Sequence, residues 1–80
     1  MATLRLFAQA REAAGRSVDE VSGATVAAVV DEAVRRYGDA FGQVLATSRV
    51  WVNGEPAGRD RPVVEGDEVA VLPPVSGGAG

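Results

Sequence analysis

The chain contains no cysteine, no histidine and no lysine, and each absence closes a line of chemistry. Without cysteine there are no disulfides, no thiolate nucleophile and none of the commonest zinc frameworks. Without histidine no Ser-His or Cys-His pair can form, so general acid–base work would fall to carboxylates or to the single Tyr37. Without lysine no side chain offers an amine for an isopeptide bond, and only the N-terminus could accept an amide. Long apolar runs are missing as well. No stretch reaches the length of about 20 residues that spans a bilayer, and no basic start leads into an apolar segment. Neither a membrane anchor nor a secretory signal is therefore expected, and the cytoplasm is the expected location. A net charge of −3 with scattered arginines argues against a nucleic-acid partner.

What remains is the composition of an ordinary single globule: eighty residues, 46% hydrophobic and 24% charged. Carboxylates come as neighbouring pairs, Asp19-Glu20, Asp31-Glu32 and Asp67-Glu68. Adjacent acids point apart on a strand or helix, so these pairs read as solvated surface rather than as a catalytic dyad or a metal site, and no metal ligand set is expected. The segment Gly54-x-x-x-Gly58-Arg59 lacks the spacing, lysine and hydroxyl of a phosphate loop.

Hydrophobic periodicity orders the chain. Thr3 to Ala8 alternates, with Leu4, Leu6 and Ala8 on one face and Phe7 on the face that carries Thr3 and Arg5, which predicts a half-buried strand. Residues 9–16 read as a connection with room for a short turn of helix, and 17–21 as a second strand broken by Ser22-Gly23. Thr25 is a helix N-cap, followed by Val26, Val29, Val30, Ala33, Val34 and Tyr37 at the spacing of one helical face, and Gly38 stands where a left-handed C-cap belongs. A short helical turn over 39–46 would pack Phe41, Val44 and Leu45 beneath the sheet. Residues 49–53 form a third strand with Trp51 opposite Val50 and Val52, and Asn53-Gly54 marks a tight turn. Pro56, Gly58 and Pro62 restrict the next segment to a short edge strand. A turn at 65–67 leads into the last strand, 68–72.

The pattern predicts an α+β domain over residues 1–72, a mixed sheet of about five strands covered on one face by one main helix, with the first and last strands adjacent in the middle. That is the ubiquitin-like β-grasp arrangement. In this register Phe7, Trp51 and Leu72 project from the uncovered face, and an apolar patch there marks a partner surface. Residues 73–80 form a flexible tail in which Pro73 and Pro74 stiffen the exit and Gly77, Gly78 and Gly80 carry no Cβ, so the backbone can enter a narrow channel.

Leu6-Phe7-Ala8-Gln9-Ala10-Arg11-Glu12-Ala13-Ala14-Gly15, together with Gly66-Asp67-Glu68-Val69-Ala70-Val71-Leu72-Pro73-Pro74-Val75-Ser76-Gly77-Gly78, resembles the MoaD-type small subunit of molybdopterin synthase, within the ThiS/MoaD sulfur-carrier family. The resemblance spans the whole domain in length and element order. It implies a non-catalytic sulfur-donor subunit whose terminal glycine is adenylated by a ubiquitin-activating-type enzyme of the MoeB kind, which uses ATP and magnesium. A sulfur-donor protein then supplies the sulfur of a thiocarboxylate, and the large subunit of molybdopterin synthase receives it. By position, Pro74, Val75, Ser76 and Gly77 would thread the partner's channel and Gly78 would be the acylated residue. Phe7, Leu72 and Arg11, with Trp51 from the exposed-face reading, would contact partners. The chain departs from the family at Ala79-Gly80, so either these two residues are trimmed or Gly80 is activated instead. The alternatives are a carrier for cysteine, thiamine or another sulfur metabolite, or a β-grasp interaction module that is never activated.

Overall fold

The computed structural model describes residues 1–74. The elements run β1 (Ala2–Leu6), α1 (Ala8–Ala14), β2 (Val18–Val21), α2 (Val26–Tyr37), α3 (Asp39–Ala46), β3 (Arg49–Val52), β4 (Glu55–Pro56) and β5 (Glu68–Leu72). The five strands form one sheet in the order β2-β1-β5-β3-β4. The chain's first and last strands, β1 and β5, pair in parallel at its centre, with Leu4 opposite Val69 and Leu6 opposite Val71. The remaining pairs are antiparallel. This is the β-grasp arrangement expected from the sequence pattern.

Alternation decides which face is covered. Ala2, Leu4 and Leu6 of β1, Val69 and Val71 of β5, Val52 of β3 and Val21 of β2 all point to one side and are buried. Above them lie Val26, Val29, Val30 and Ala33 of α2, Ala10 of α1 and Phe41 of α3. Each fully buried Val, Leu or Phe contributes on the order of 1.5–3 kcal/mol, which compensates the χ1 restriction of the valines in α2. No charged or polar side chain is buried among the described residues.

The helix α2 begins as its sequence predicts. The Thr25 hydroxyl accepts from the Ala28 amide at 3.1 Å. The loop before β5 satisfies the two preceding amides, Val26 donating to the Arg61 carbonyl and Ala27 to that of Arg59. Its far end differs from the expected left-handed cap. Gly38 has φ 100° and ψ −175°, a conformation only glycine adopts without strain. Its amide donates to the Val34 carbonyl while its own carbonyl accepts from Gly42, so one residue ends α2 and starts α3.

Two further differences concern the amino-terminal region. The first strand ends at Leu6 rather than Ala8, and the connection after it holds a helix of seven residues. Ala8 takes φ 50°, which turns the chain out of the sheet. The helix that follows buries Ala10 in the core at 0% exposure. The segment 39–46 likewise forms two full turns, and Phe41 packs edge-on against Tyr37 with centroids 5.2 Å apart.

Candidate functional site

The uncovered face of the sheet is built from the residues that alternate with the core. Register places Val18, Arg5, Ala70, Trp51 and Pro56 in one row across all five strands. Arg5 forms an ion pair with Glu68 of the neighbouring strand. Beyond that row, Leu72 pairs with Arg49. Phe7 follows directly on the last paired couple of β1 and β5, Leu6 and Val71, and keeps extended backbone angles as the N-cap of α1. It is 43% exposed, as is Val18. Trp51 and Leu72 are half-buried. Phe7, Leu72 and Trp51 thus occupy one side of the sheet, toward the end where β5 finishes. Phe7 holds this place from a helix cap rather than from within a strand.

The sheet edges offer less. At the β2 edge the Glu20 amide is taken by the Asp19 carboxylate at 2.9 Å, and its carbonyl by the Arg36 guanidinium at 2.9 Å. At the other edge β4 has two residues, one of them Pro56, which has no amide to donate. A partner therefore meets the face of this sheet more readily than its margins.

The root of the tail lies at the same end of the molecule. After Leu72 the half-buried Pro73 and exposed Pro74 border a shallow groove of about 340 Å³, whose walls are Gln9 of α1 and Ala40, Gln43, Val44 and Thr47 of α3. Arg11, exposed, stands on α1 two residues beyond Gln9. Val75, Ser76, Gly77, Gly78 and Gly80 lie outside the described residues.

Tyr37, the one non-carboxylate candidate for acid–base chemistry, is engaged elsewhere. The Tyr37 hydroxyl donates to the Asp19 carboxylate, which also accepts from Arg36 at 3.1 Å and pairs with Arg16 at 3.1 Å. Burial, followed by the hydrogen bond to Asp19, pushes Tyr37 up to about 12, so it stays protonated at neutral pH. The Tyr37 hydroxyl in turn holds Asp19 below the usual carboxylate range. Asp19 is thus a structural anchor between β2 and α2 rather than the solvated acid that the pair Asp19-Glu20 suggested. Among the described residues no group of three or more carboxylates could hold a metal ion. No helix there is long and apolar enough to cross a membrane.

Two open-face residues escaped the sequence reading, Val18 and Arg49. The signal was ambiguous at 17–21, where apolar and charged residues fall on both faces. At Arg49 it was visible only once Leu72 was known to be its partner.

The model of the ThiS family matches residues 4–78. Similar solved structures include small archaeal modifier protein 1 of Haloferax volcanii, at 32% identity over 94% of this chain and 96% of that one, with a TM-score of 0.79. A putative molybdopterin converting factor subunit 1 of Pyrococcus furiosus is 28% identical over 92% and 97%, with a TM-score of 0.81. CysO of Amycolatopsis orientalis, solved in complex with BexX, shares the fold at 24% identity over 95% and 98%, with a TM-score of 0.81. No curated protein sequence matches the chain.

Proposed function

The chain belongs to the ThiS family, and from that premise we propose that it is a cytoplasmic sulfur carrier for molybdopterin synthesis, whose own reactive group is its terminal carboxylate. The observation that carries this reading is the path of β5. It runs through the middle of the sheet and releases the Pro73-Pro74 tail beside the apolar face formed by Phe7, Trp51 and Leu72. A rigid strand positions the root, and the face gives a partner something to hold while the tail enters its site.

The chemistry asks nothing of the side chains. A terminal carboxylate has a pKa of about 3.3–3.7, so it is ionised at neutral pH and attacks the α-phosphorus of ATP without a local base. Pyrophosphate leaves, and an acyl-adenylate remains. Hydrosulfide, or sulfur delivered by a donor protein at the same oxidation level, displaces AMP to give the thiocarboxylate. ATP and magnesium belong to the MoeB-type activating enzyme, and the large subunit of molybdopterin synthase is the partner that receives the sulfur. Gly78 carries the thiocarboxylate once Ala79 and Gly80 are removed, with Gly80 as the alternative. Pro74, Val75, Ser76 and Gly77 thread the partner's channel.

A second reading keeps the activation and changes the acceptor. The 32% identity to an archaeal protein named as a modifier favours transfer of the activated end to an amine. Because this chain has no lysine, that amine would lie on another molecule or at an N-terminus. Incubation with the cognate activating enzyme, ATP, magnesium and sulfide separates the two readings by intact mass. A sulfur-for-oxygen exchange supports the carrier, and an amide adduct alone supports the modifier.

A further inference from the structure

Asn53 is the chain's single asparagine, and a glycine follows it. The pair turns β3 into β4 with left-handed backbone at both positions, φ 51° at Asn53 and 85° at Gly54, and both residues are exposed. The Gly54 amide has no hydrogen-bond acceptor among the described residues, and a Cβ on Gly54 would point into open space. An unshielded backbone nitrogen therefore follows directly on a side-chain amide. These are the two groups that close a succinimide ring.

The direction of the Asn53 side chain restrains them. It reaches across to the start of β5, where Nδ2 donates to the Asp67 carboxylate and Oδ1 accepts from the Glu68 amide, each at 2.9 Å. The Asn53 backbone amide donates to the Glu68 carbonyl, also at 2.9 Å. Asp67 is itself fixed in the turn: its second carboxylate oxygen accepts from the Val64 amide at 2.9 Å, and its carbonyl accepts from the Thr3 amide of β1. Asn53 is thus a latch between the β3–β4 turn and the strand that carries the tail.

We infer that Asn53 is a self-modification site, protected while this latch is closed and held open once the reaction has occurred. When the turn opens locally, the Gly54 nitrogen attacks Asn53 Cγ. The new N–C bond forms, the Cγ–Nδ2 bond breaks, and the side-chain nitrogen leaves as ammonia with the proton of the Gly54 amide. Water then opens the ring at either carbonyl, giving aspartate or isoaspartate. The net reaction takes up water and releases ammonia, with no change of oxidation state. In the aspartate product a carboxylate oxygen stands where Nδ2 stood, so a hydrogen bond to Asp67 becomes a contact of like charges. Arg61 reaches only the other oxygen of Asp67, at 4.0 Å. The isoaspartate product adds a carbon to the backbone between Val52 and Glu55, which pair in register. The inference stands whether or not the terminal carboxylate is activated.

The test is incubation of the full chain at mildly alkaline pH, followed by cleavage after Arg49 and Arg59 and mass analysis of the peptide 50–59 for amide-to-acid exchange and for isoaspartate. Exchange should be slow in the folded protein and about tenfold or more faster in denaturing urea. Asp67→Ala removes one side of the latch and should speed exchange in the folded protein about fivefold. Tyr37→Phe, which loosens the β2–α2 side of the domain, should leave the rate unchanged. Asn53→Asp should lower the melting midpoint by about 5–10 °C, and adding Asp67→Asn, which returns a donor opposite the new carboxylate, should recover most of it. Circular dichroism confirms that each variant is folded. No exchange even in urea, equal rates for Asp67→Ala and wild type, equal acceleration by Tyr37→Phe, or a wild-type midpoint for Asn53→Asp would each overturn the inference.

Discussion

The Tyr37 hydroxyl at the end of α2 donates a hydrogen bond to the Asp19 carboxylate in β2, closing the helix onto the sheet across eighteen positions of sequence. Tyr37→Phe should lower stability by about 1–2 kcal/mol at neutral pH, since it leaves a partly buried carboxylate one donor short. The pair also sets the pH limits. Tyr37 is raised from 10.0 to about 12 in the folded state. Its contribution is complete below pH 10 and is lost as pH rises toward about 12. Asp19 is lowered from 3.8, so its contribution is present above that value and disappears as pH falls below it. Urea melts across both ranges check this. Wild type should lose stability in the alkaline window and Tyr37→Phe should not.

The approach of Gly23 to α2 permits no side chain. A Cβ there would lie 2.8 Å from the Val29 amide nitrogen and from a Val29 methyl carbon. Backbone cannot retreat without moving the helix, so Gly23→Ala should cost about 1–3 kcal/mol by thermal or denaturant melting. Val30→Asp, which places an unpaired charge in the core beneath the same helix, should leave no folded protein.

Ala8 holds φ 50° at the start of α1. A β-branched side chain tolerates that angle less well than alanine, and glycine tolerates it best. Melting midpoints should therefore order Gly at or above Ala, and Ala above Val, with Ala8→Val losing about 1–2 kcal/mol.

These positions also show how far the sequence could be read. The helix α2 was readable because Thr25, Val26, Val29, Val30 and Ala33 repeat at the helical period and burial follows that period alone. The central pairing of β1 with β5 followed from two alternating strands at the ends of the chain with one long helix between them. Phe7 and Ala8 read as strand because Leu4, Leu6 and Ala8 continue an alternation past the point where Ala8 turns the chain, and no local residue type marks that turn; Phe7 keeps its face but as the cap of α1. Asp19 was read as surface because its partners Tyr37 and Arg36 are distant in sequence. Phe7, Trp51 and Leu72 were assigned correctly to one face from period two, but the Arg49 beside Leu72 needed the strand register.

The open face should tolerate polar substitution in the free protein and not in a complex. Leu72→Glu and Trp51→Ala remove apolar area without touching the core, so thermal stability should change by about 1 kcal/mol or less. Affinity for the activating enzyme should fall about tenfold or more, as expected where half-buried apolar anchors carry the contact. Calorimetric titration alongside a thermal melt separates the two effects.

The central claim is that the chain's terminal carboxylate is its reactive group. Intact mass spectrometry of full-length and Gly78-ended protein, each incubated with the cognate activating enzyme, ATP, magnesium and sulfide, tests it most directly. The account predicts exchange of one oxygen for sulfur at a terminal glycine, on the Gly78-ended form if Ala79 and Gly80 must be removed and on the full-length chain if Gly80 serves. Unchanged mass for both forms would contradict it.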